Sequence, residues 1–160
     1  IMGTFSKSFA SLGGFIAGDN VIMNFLRHHS RSYIFTASIT PASTAAASAA
    51  IDIMLAEPER QQHLWELTKF ALDGFKNMGC EIGNTQTPII PLYIRDNNLT
   101  FLITTELFNE GIFVNPVVSP AVANQDTLIR FSLMATHTRE QVAEALEKIQ
   151  KVFRKHNLIK

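Results

Sequence analysis

Residues 128–141 read Leu128-Ile129-Arg130-Phe131-Ser132-Leu133-Met134-Ala135-Thr136-His137-Thr138-Arg139-Glu140-Gln141, a strand, a turn and the start of a helix in immediate succession. Leu128, Arg130 and Ser132 alternate with Ile129, Phe131 and Leu133, the two-residue period of a strand with one buried face. Thr138 and Gln141 stand at capping-box spacing, and Val142, Leu146, Ile149 and Phe153 then line one face of a terminal helix. Working back along the chain, 112–118 predicts a strand and 100–110 a helix stopped by Gly111. A further strand falls at 89–94, where Pro91 marks a sheet edge or a bulge. Before it, Pro58 opens a helix in which Leu64, Leu67, Ala71, Phe75 and Met78 recur at three- and four-residue steps until Gly79. The order from residue 59 is α-β-α-β-β-α, which predicts a compact α+β layer of helices against a small, mainly antiparallel sheet.

The first 56 residues have a different character. They carry five formal charges, Lys7, Asp19, Arg27, Arg31 and Asp52, and such sparse charge predicts a buried or interfacial region. Asp19 can cap a short helix bearing Val21, Ile22, Phe25 and Leu26. Thr40-Pro41 supplies a cap and a first-turn proline for a helix over 41–55, whose many Ala and Ser side chains predict close packing against another backbone. Tyr33-Ile34-Phe35-Thr36 has strand composition. The boundary between the two regions is expected at Glu57-Pro58-Glu59. A start at Ile1-Met2-Gly3-Thr4, with neither a charged leader nor an initiator Met in first place, reads as a piece of something longer.

Composition narrows the function. In 160 residues, 14 basic and 14 acidic side chains cancel, so no net field draws in nucleic acid or an anionic membrane. No apolar run approaches the roughly 20 residues that span a bilayer. A single cysteine, Cys80, excludes an internal disulfide and fits a reducing compartment. The histidines His28, His29, His63, His137 and His156 show no metal-ligand spacing, so no metal site is expected. His28 and His29 suit a helix C-terminus, and His137 suits the orienting of a turn.

Two residues carry candidate chemistry. Lys7 lies in Gly3-Thr4-Phe5-Ser6-Lys7-Ser8, with Gly13-Gly14 close behind. A desolvated lysine amine can attack an aldehyde, and the hydroxyls around it can hold a phosphate. The alternative is a lysine at the mouth of a turn that simply meets solvent. No Walker loop is present, and Thr4-x-x-Lys7 lacks the rest of the Ser-x-x-Lys set. Arg130, in an apolar strand, suits a carboxylate because its guanidinium fork bonds two oxygens at once. Its alternative is a structural salt bridge or exposure on the open face of the sheet.

The stretch from Gly3 to Phe9 with Gly13-Gly14-Phe15-Ile16-Ala17-Gly18 resembles the pyridoxal-phosphate lysine signature of the α-oxoamine synthases, a family of fold type I PLP-dependent enzymes. The likeness runs on through Phe35-Thr36-Ala37-Ser38-Ile39-Thr40-Pro41, Asn115-Pro116-Val117-Val118-Ser119-Pro120 and Ile129-Arg130-Phe131-Ser132-Leu133, and so covers essentially the whole chain. It implies an α/β and α+β fold, the C-terminal portion of a fold type I transferase. Residues 1–57 would be the trailing part of the large cofactor domain and 58–160 the small domain.

The same resemblance implies roles. Lys7 would carry pyridoxal 5'-phosphate as a Schiff base and move the α-proton of an amino acid. Thr4 and Ser6 would hold the cofactor phosphate. Thr36, with Ser38 close by, would reach the phosphate bound in the other subunit of a homodimer with shared active sites, and Arg130 would pair with the substrate carboxylate. The 116–122 loop would close near the substrate, although this chain has Ala123 where the family commonly has a second proline. The implied reaction is a decarboxylative condensation of an amino acid with an acyl-CoA in the cytoplasm. The segments 114–122 and 131–138 point to the branch that joins L-serine to palmitoyl-CoA. Branches that make 8-amino-7-oxononanoate or acetylate glycine share these motifs. Only six residues precede Lys7, so the chain by itself is expected to be inactive. A non-catalytic α+β interaction module is the alternative from another class.

Overall fold

The computed structural model describes residues 1–160, which divide into two compact units, Ile1–Pro58 and Glu59–Lys160.

The first unit opens with an antiparallel hairpin of β1 (Met2–Thr4) and β2 (Gly14–Ile16). Three helices follow, α1 (Asn20–His29), α2 (Arg31–Phe35) and α3 (Pro41–Ala56). Asp19 occupies the N-cap position of α1 without a side-chain hydrogen bond to it. At the other end, the Nδ1 atoms of His28 and His29 lie 2.8 and 3.0 Å from the carbonyls of Asn24 and Phe25. Thr40 caps α3 by accepting from the Ser43 N–H at 3.2 Å, ahead of Pro41 in the first turn.

Three expectations are corrected in this unit. Tyr33-Ile34-Phe35 is helical, not extended. Ser30 caps its first turn, and no neighbouring strand offers hydrogen bonds to an extended segment; β composition yields where no pairing exists. Of the two readings of the sparse charge in residues 1–56, buried or interfacial, the first is corrected, because the unit has no sheet large enough to cover its apolar side chains: Val21 is 82% exposed, Phe35 81% and Leu55 72%. For the same reason the small-residue helix α3 buries Ala47 alone.

The second unit contains α4 (Glu59–Asn77), β3 (Ile89–Tyr93), α5 (Asn97–Asn109), β4 (Asn115–Val117), a 3-10 turn at Asn124–Asp126, β5 (Leu128–Ser132) and α6 (Arg139–Lys155). The predicted element order holds, with shifted ends. α5 starts three residues early because the Asp96 side chain accepts from the Leu99 N–H at 2.7 Å. β4 is shorter than expected because only three of its residues find ladder partners on β5.

The sheet is antiparallel throughout, in the order β3-β5-β4. Pro91 therefore sits on an edge strand, as a residue without an N–H requires. Alternation decides the layering: Ile90, Leu92, Ile129 and Phe131 are buried, while Arg130 and Ser132 lie exposed on the opposite face. α6 packs against α4 and α5, burying Val142, Leu146, Ile149 and Phe153, and the predicted Thr138–Gln141 capping box forms in both directions. Phe75 of α4, with no exposed surface, meets the Phe131 ring edge-on at 5.2 Å. Gly79 ends α4 at φ +79°, a conformation costly to any residue with a Cβ. Cys80 follows, and burial pushes its thiol up to about 11, which leaves it protonated and unreactive near neutrality.

Candidate active site

The hairpin of the first unit is built on a close backbone approach. Gly3 pairs with Phe15 and Thr4 with Gly14, and a Cβ on Gly14 would stand 2.4 Å from the Gly3 carbonyl oxygen. Glycine is therefore required at position 14. The loop from Phe5 to Gly13 is internally bonded: the Phe5 N–H donates to the Gly13 carbonyl, the Ser11 N–H to the Phe5 carbonyl and the Ala10 N–H to the Lys7 carbonyl, at 2.9 to 3.0 Å. The Phe5 ring packs between Phe9 and Phe15, at 5.5 and 5.8 Å. Ser11 Oγ also donates to the Ser43 carbonyl at 2.8 Å, tying the loop to α3.

This loop brings three of the expected residues together. Thr4 Oγ1 lies 2.9 Å from Ser6 Oγ and 3.3 Å from the Gly13 carbonyl, and it accepts from the Ser6 N–H at 3.3 Å. Lys7 follows directly, in the turn closed by Ala10. Its side chain is exposed; no element of the unit covers this face of the loop. A cavity of about 690 Å³ borders the hairpin and is lined by Gly3, Thr4, Gly14, Met23, Arg27 and Tyr33 among others, but not by Lys7. Thr36 ends α2 in an extended conformation, and both it and Ser38 are exposed. No hydrogen bond joins either of them to Thr4, Ser6 or Lys7.

Arg130 belongs to the second unit. It projects from the central strand, in register with Asn115 on one side and Pro91 on the other. Its Nη2 donates to Asn115 Oδ1 at 3.2 Å, and none of the unit's salt bridges includes it, so the guanidinium keeps donors for an anion. A groove of about 570 Å³ runs past it, lined by Phe113, Asn115, Ser132, Met134, His137 and Gln141 among others. His137 shapes its rim: its Nδ1 accepts from the Met134 N–H at 3.2 Å, and its carbonyl lies 3.0 Å from His63 Nε2. The histidine thus orients the turn after β5, as its position predicted. Sequence reasoning missed Asn115 as the partner of Arg130, because a strand pair's register does not follow from one strand's pattern.

The sequence model of the family described as aminotransferase class I and II matches residues 1–149. The chain belongs to that family. Among the curated members, it is 58% identical over 159 residues to a serine palmitoyltransferase of Bacteroides thetaiotaomicron, and 37% identical over 158 residues to an 8-amino-7-oxononanoate synthase of Bacillus pumilus. Each alignment covers 99% of this chain and 40% of the relative, so the chain spans about two fifths of their length. A solved structure described as SPT with PLP internal aldimine superposes with a TM-score of 0.90 at 30% identity, over 99% of this chain and 40% of that one. The family fold, with its mixed helices and antiparallel sheets, is therefore the fold of this chain. No helix is long and apolar enough to cross a membrane.

Proposed function

We propose that this aminotransferase-family chain is the C-terminal portion of a PLP-dependent α-oxoamine synthase, with residues 1–57 trailing from the cofactor domain and 58–160 forming the small domain. The whole enzyme would condense L-serine with palmitoyl-CoA, releasing CO2 and coenzyme A and leaving a 3-ketosphinganine-type product. The 58% identity to a serine palmitoyltransferase, against 37% to an 8-amino-7-oxononanoate synthase, favours this branch. The observation that carries the reading is the Thr4–Ser6–Lys7 constellation, two hydroxyls 2.9 Å apart beside an uncovered primary amine.

That donor set fits a phosphorylated aldehyde. Thr4 and Ser6 would bond its phosphate oxygens, and Lys7 Nζ would hold it covalently. Gly3 and Gly14 keep the hairpin free of side chains where the two backbones meet. When bound, such a cofactor supplies an electron sink for charge developing at the amino-acid α-carbon. Once the substrate amine had displaced Lys7 Nζ from the aldehyde carbon, the freed amine would take and return the α-proton. Arg130 would hold the substrate carboxylate by its fork, with Asn115 fixing the guanidinium plane. Thr36 and Ser38, uncovered and unconnected to Lys7 within one chain, suit a role towards the cofactor phosphate of a second copy in a cytoplasmic homodimer. The 160-residue chain by itself would be inactive, because groups elsewhere in the whole protein complete the site.

Borohydride reduction of the full-length protein with PLP, followed by peptide mapping, tests the reading. A pyridoxyl adduct on Lys7, lost in Lys7→Ala, is expected. A folded protein with Lys7 unlabelled would overturn it and favour a non-catalytic module. Product formation from serine and palmitoyl-CoA, compared with other amino-acid and acyl-CoA pairs, decides the branch.

A further inference from the structure

The strands that carry Asn115 and Arg130 are joined by residues 118–127, and a set of polar groups grips this connection where it returns to β5. Arg95 Nη1 donates to the Gln125 carbonyl at 2.7 Å and lies 3.5 Å from Asp126 Oδ1. The rest of its fork is taken by Glu81: Nε donates to Oε2 at 2.9 Å, and Nη2 pairs with Oε1. Asn97 Nδ2 donates to Asn124 Oδ1 at 3.1 Å, and the fully buried Thr127 hydroxyl lies 2.8 Å from both Asn97 Oδ1 and the Asn124 carbonyl. The Thr127 carbonyl accepts from the N–H groups of Ile94 and Arg95 at 3.0 and 2.9 Å.

Arg95 itself has φ +66°, a conformation that disfavours a residue with a side chain and persists where its surroundings over-determine it. An exposed ion pair adds little to stability, so the energy of the Arg95–Glu81 pair alone does not account for the arrangement. Its position does. Leu128, directly after Thr127, begins β5, and Arg130 follows two residues later. The hydrogen bond from Arg95 also holds the Glu81 carboxyl below its ordinary value of 4.5, which keeps the clasp charged into acid.

We propose that Arg95 is a positioning residue of the amino-acid site: its guanidinium clasps the return of the 118–127 connection, fixing that loop and the start of β5 so that Arg130 meets a substrate carboxylate in one orientation. This rests on the reading of Arg130 as the carboxylate holder.

The test uses the full-length protein with Arg95→Gly, which removes the guanidinium and relieves the backbone conformation, and Arg95→Lys, which keeps the charge without the fork. Hydrogen exchange in Arg95→Gly is expected to quicken over 118–127 and not across the rest of Glu59–Lys160. KM for the amino acid is expected to rise several-fold with little change in kcat, and Arg95→Lys to fall between the two. Exchange that quickens through the whole unit would reveal a merely structural role and overturn the proposal, as would an unmoved KM beside a loosened loop. If the unsubstituted protein condenses no amino acid with any acyl-CoA, the reading of Arg130 is what fails. In that case exchange confined to 118–127 still supports the clasp, and unchanged exchange overturns it.

Discussion

Asn115 and Arg130 face each other across the β4–β5 pair, and the amide oxygen of the first accepts from the guanidinium of the second at 3.2 Å. A guanidinium held by one nitrogen through a neutral partner retains its charge and most of its donors, the state that a carboxylate-binding arginine needs. In the full-length protein, Arg130→Lys is expected to raise KM for the amino acid by roughly 10- to 100-fold, since hydrogen bonds to charged groups are worth about 1.5–3 kcal/mol. Asn115→Ala should cost less, because the charge stays. Steady-state kinetics with varied amino acid measure both, and a larger effect at Asn115 would contradict the assignment of roles.

Gly14→Ala probes the hairpin. The new Cβ would lie 2.4 Å from a backbone carbonyl, that of Gly3, and a backbone atom cannot swing aside as a side-chain end can. Overpacking of this kind costs about 1–3 kcal/mol. The expected result is a splayed β1–β2 pair and weak borohydride labelling of Lys7, with the core of Glu59–Lys160 untouched. Peptide mapping beside a thermal melt separates the two effects.

The Glu59–Lys160 unit has its own buried cluster and is expected to unfold cooperatively as an isolated piece. Phe75 has no exposed surface and meets Phe131 edge-on, so Phe75→Ala should cost about 3–5 kcal/mol. That is a large part of the roughly 5–15 kcal/mol that stabilises an ordinary domain. Urea denaturation of the isolated unit checks both points, and a broad, non-cooperative transition in the unsubstituted piece would refute its autonomy.

Acid should weaken the α5–α6 seam. Lys155 donates to Glu106 Oε1 at 2.9 Å, and His156 Nε2 lies 3.1 Å from Oε2. These bonds, that from Lys155 foremost, hold the Glu106 carboxyl below its ordinary value of 4.5. A carboxyl lowered by folding contributes stability that is present above the unfolded value and lost as pH falls through the folded one. Stability should therefore decline as pH drops below about 4.5, and Glu106→Gln should decline less steeply. Denaturation midpoints taken across that range decide it; parallel curves for the two proteins would remove Glu106 from the account.

The second unit was almost wholly legible before its structure. The capping box at Thr138, the four-residue steps of Val142, Leu146, Ile149 and Phe153, the alternation around Arg130 and the edge proline Pro91 are local signals, each written within a turn of helix or a few residues of strand. The first unit resisted the same reading. Tyr33-Ile34-Phe35 has strand composition but no strand beside it, so the Ser30 cap made it helical, and the small residues of α3 promised a packing partner that 58 residues do not supply. Lys7 could be singled out from its hydroxyl and glycine neighbours, yet its exposure depends on which elements cover the loop.

What the sequence determined by itself was the family, the order of elements from residue 59 and the candidacy of Thr4, Ser6, Lys7 and Arg130, because those rest on residue identity and short-range periodicity. Only the tertiary structure decided that Asn115 stands opposite Arg130 and that Arg95 reaches Glu81 and Gln125 at once. Those relationships follow from strand register and chain return over 14 to 30 positions, and at such separations the approach of two residues is set by how whole elements pack.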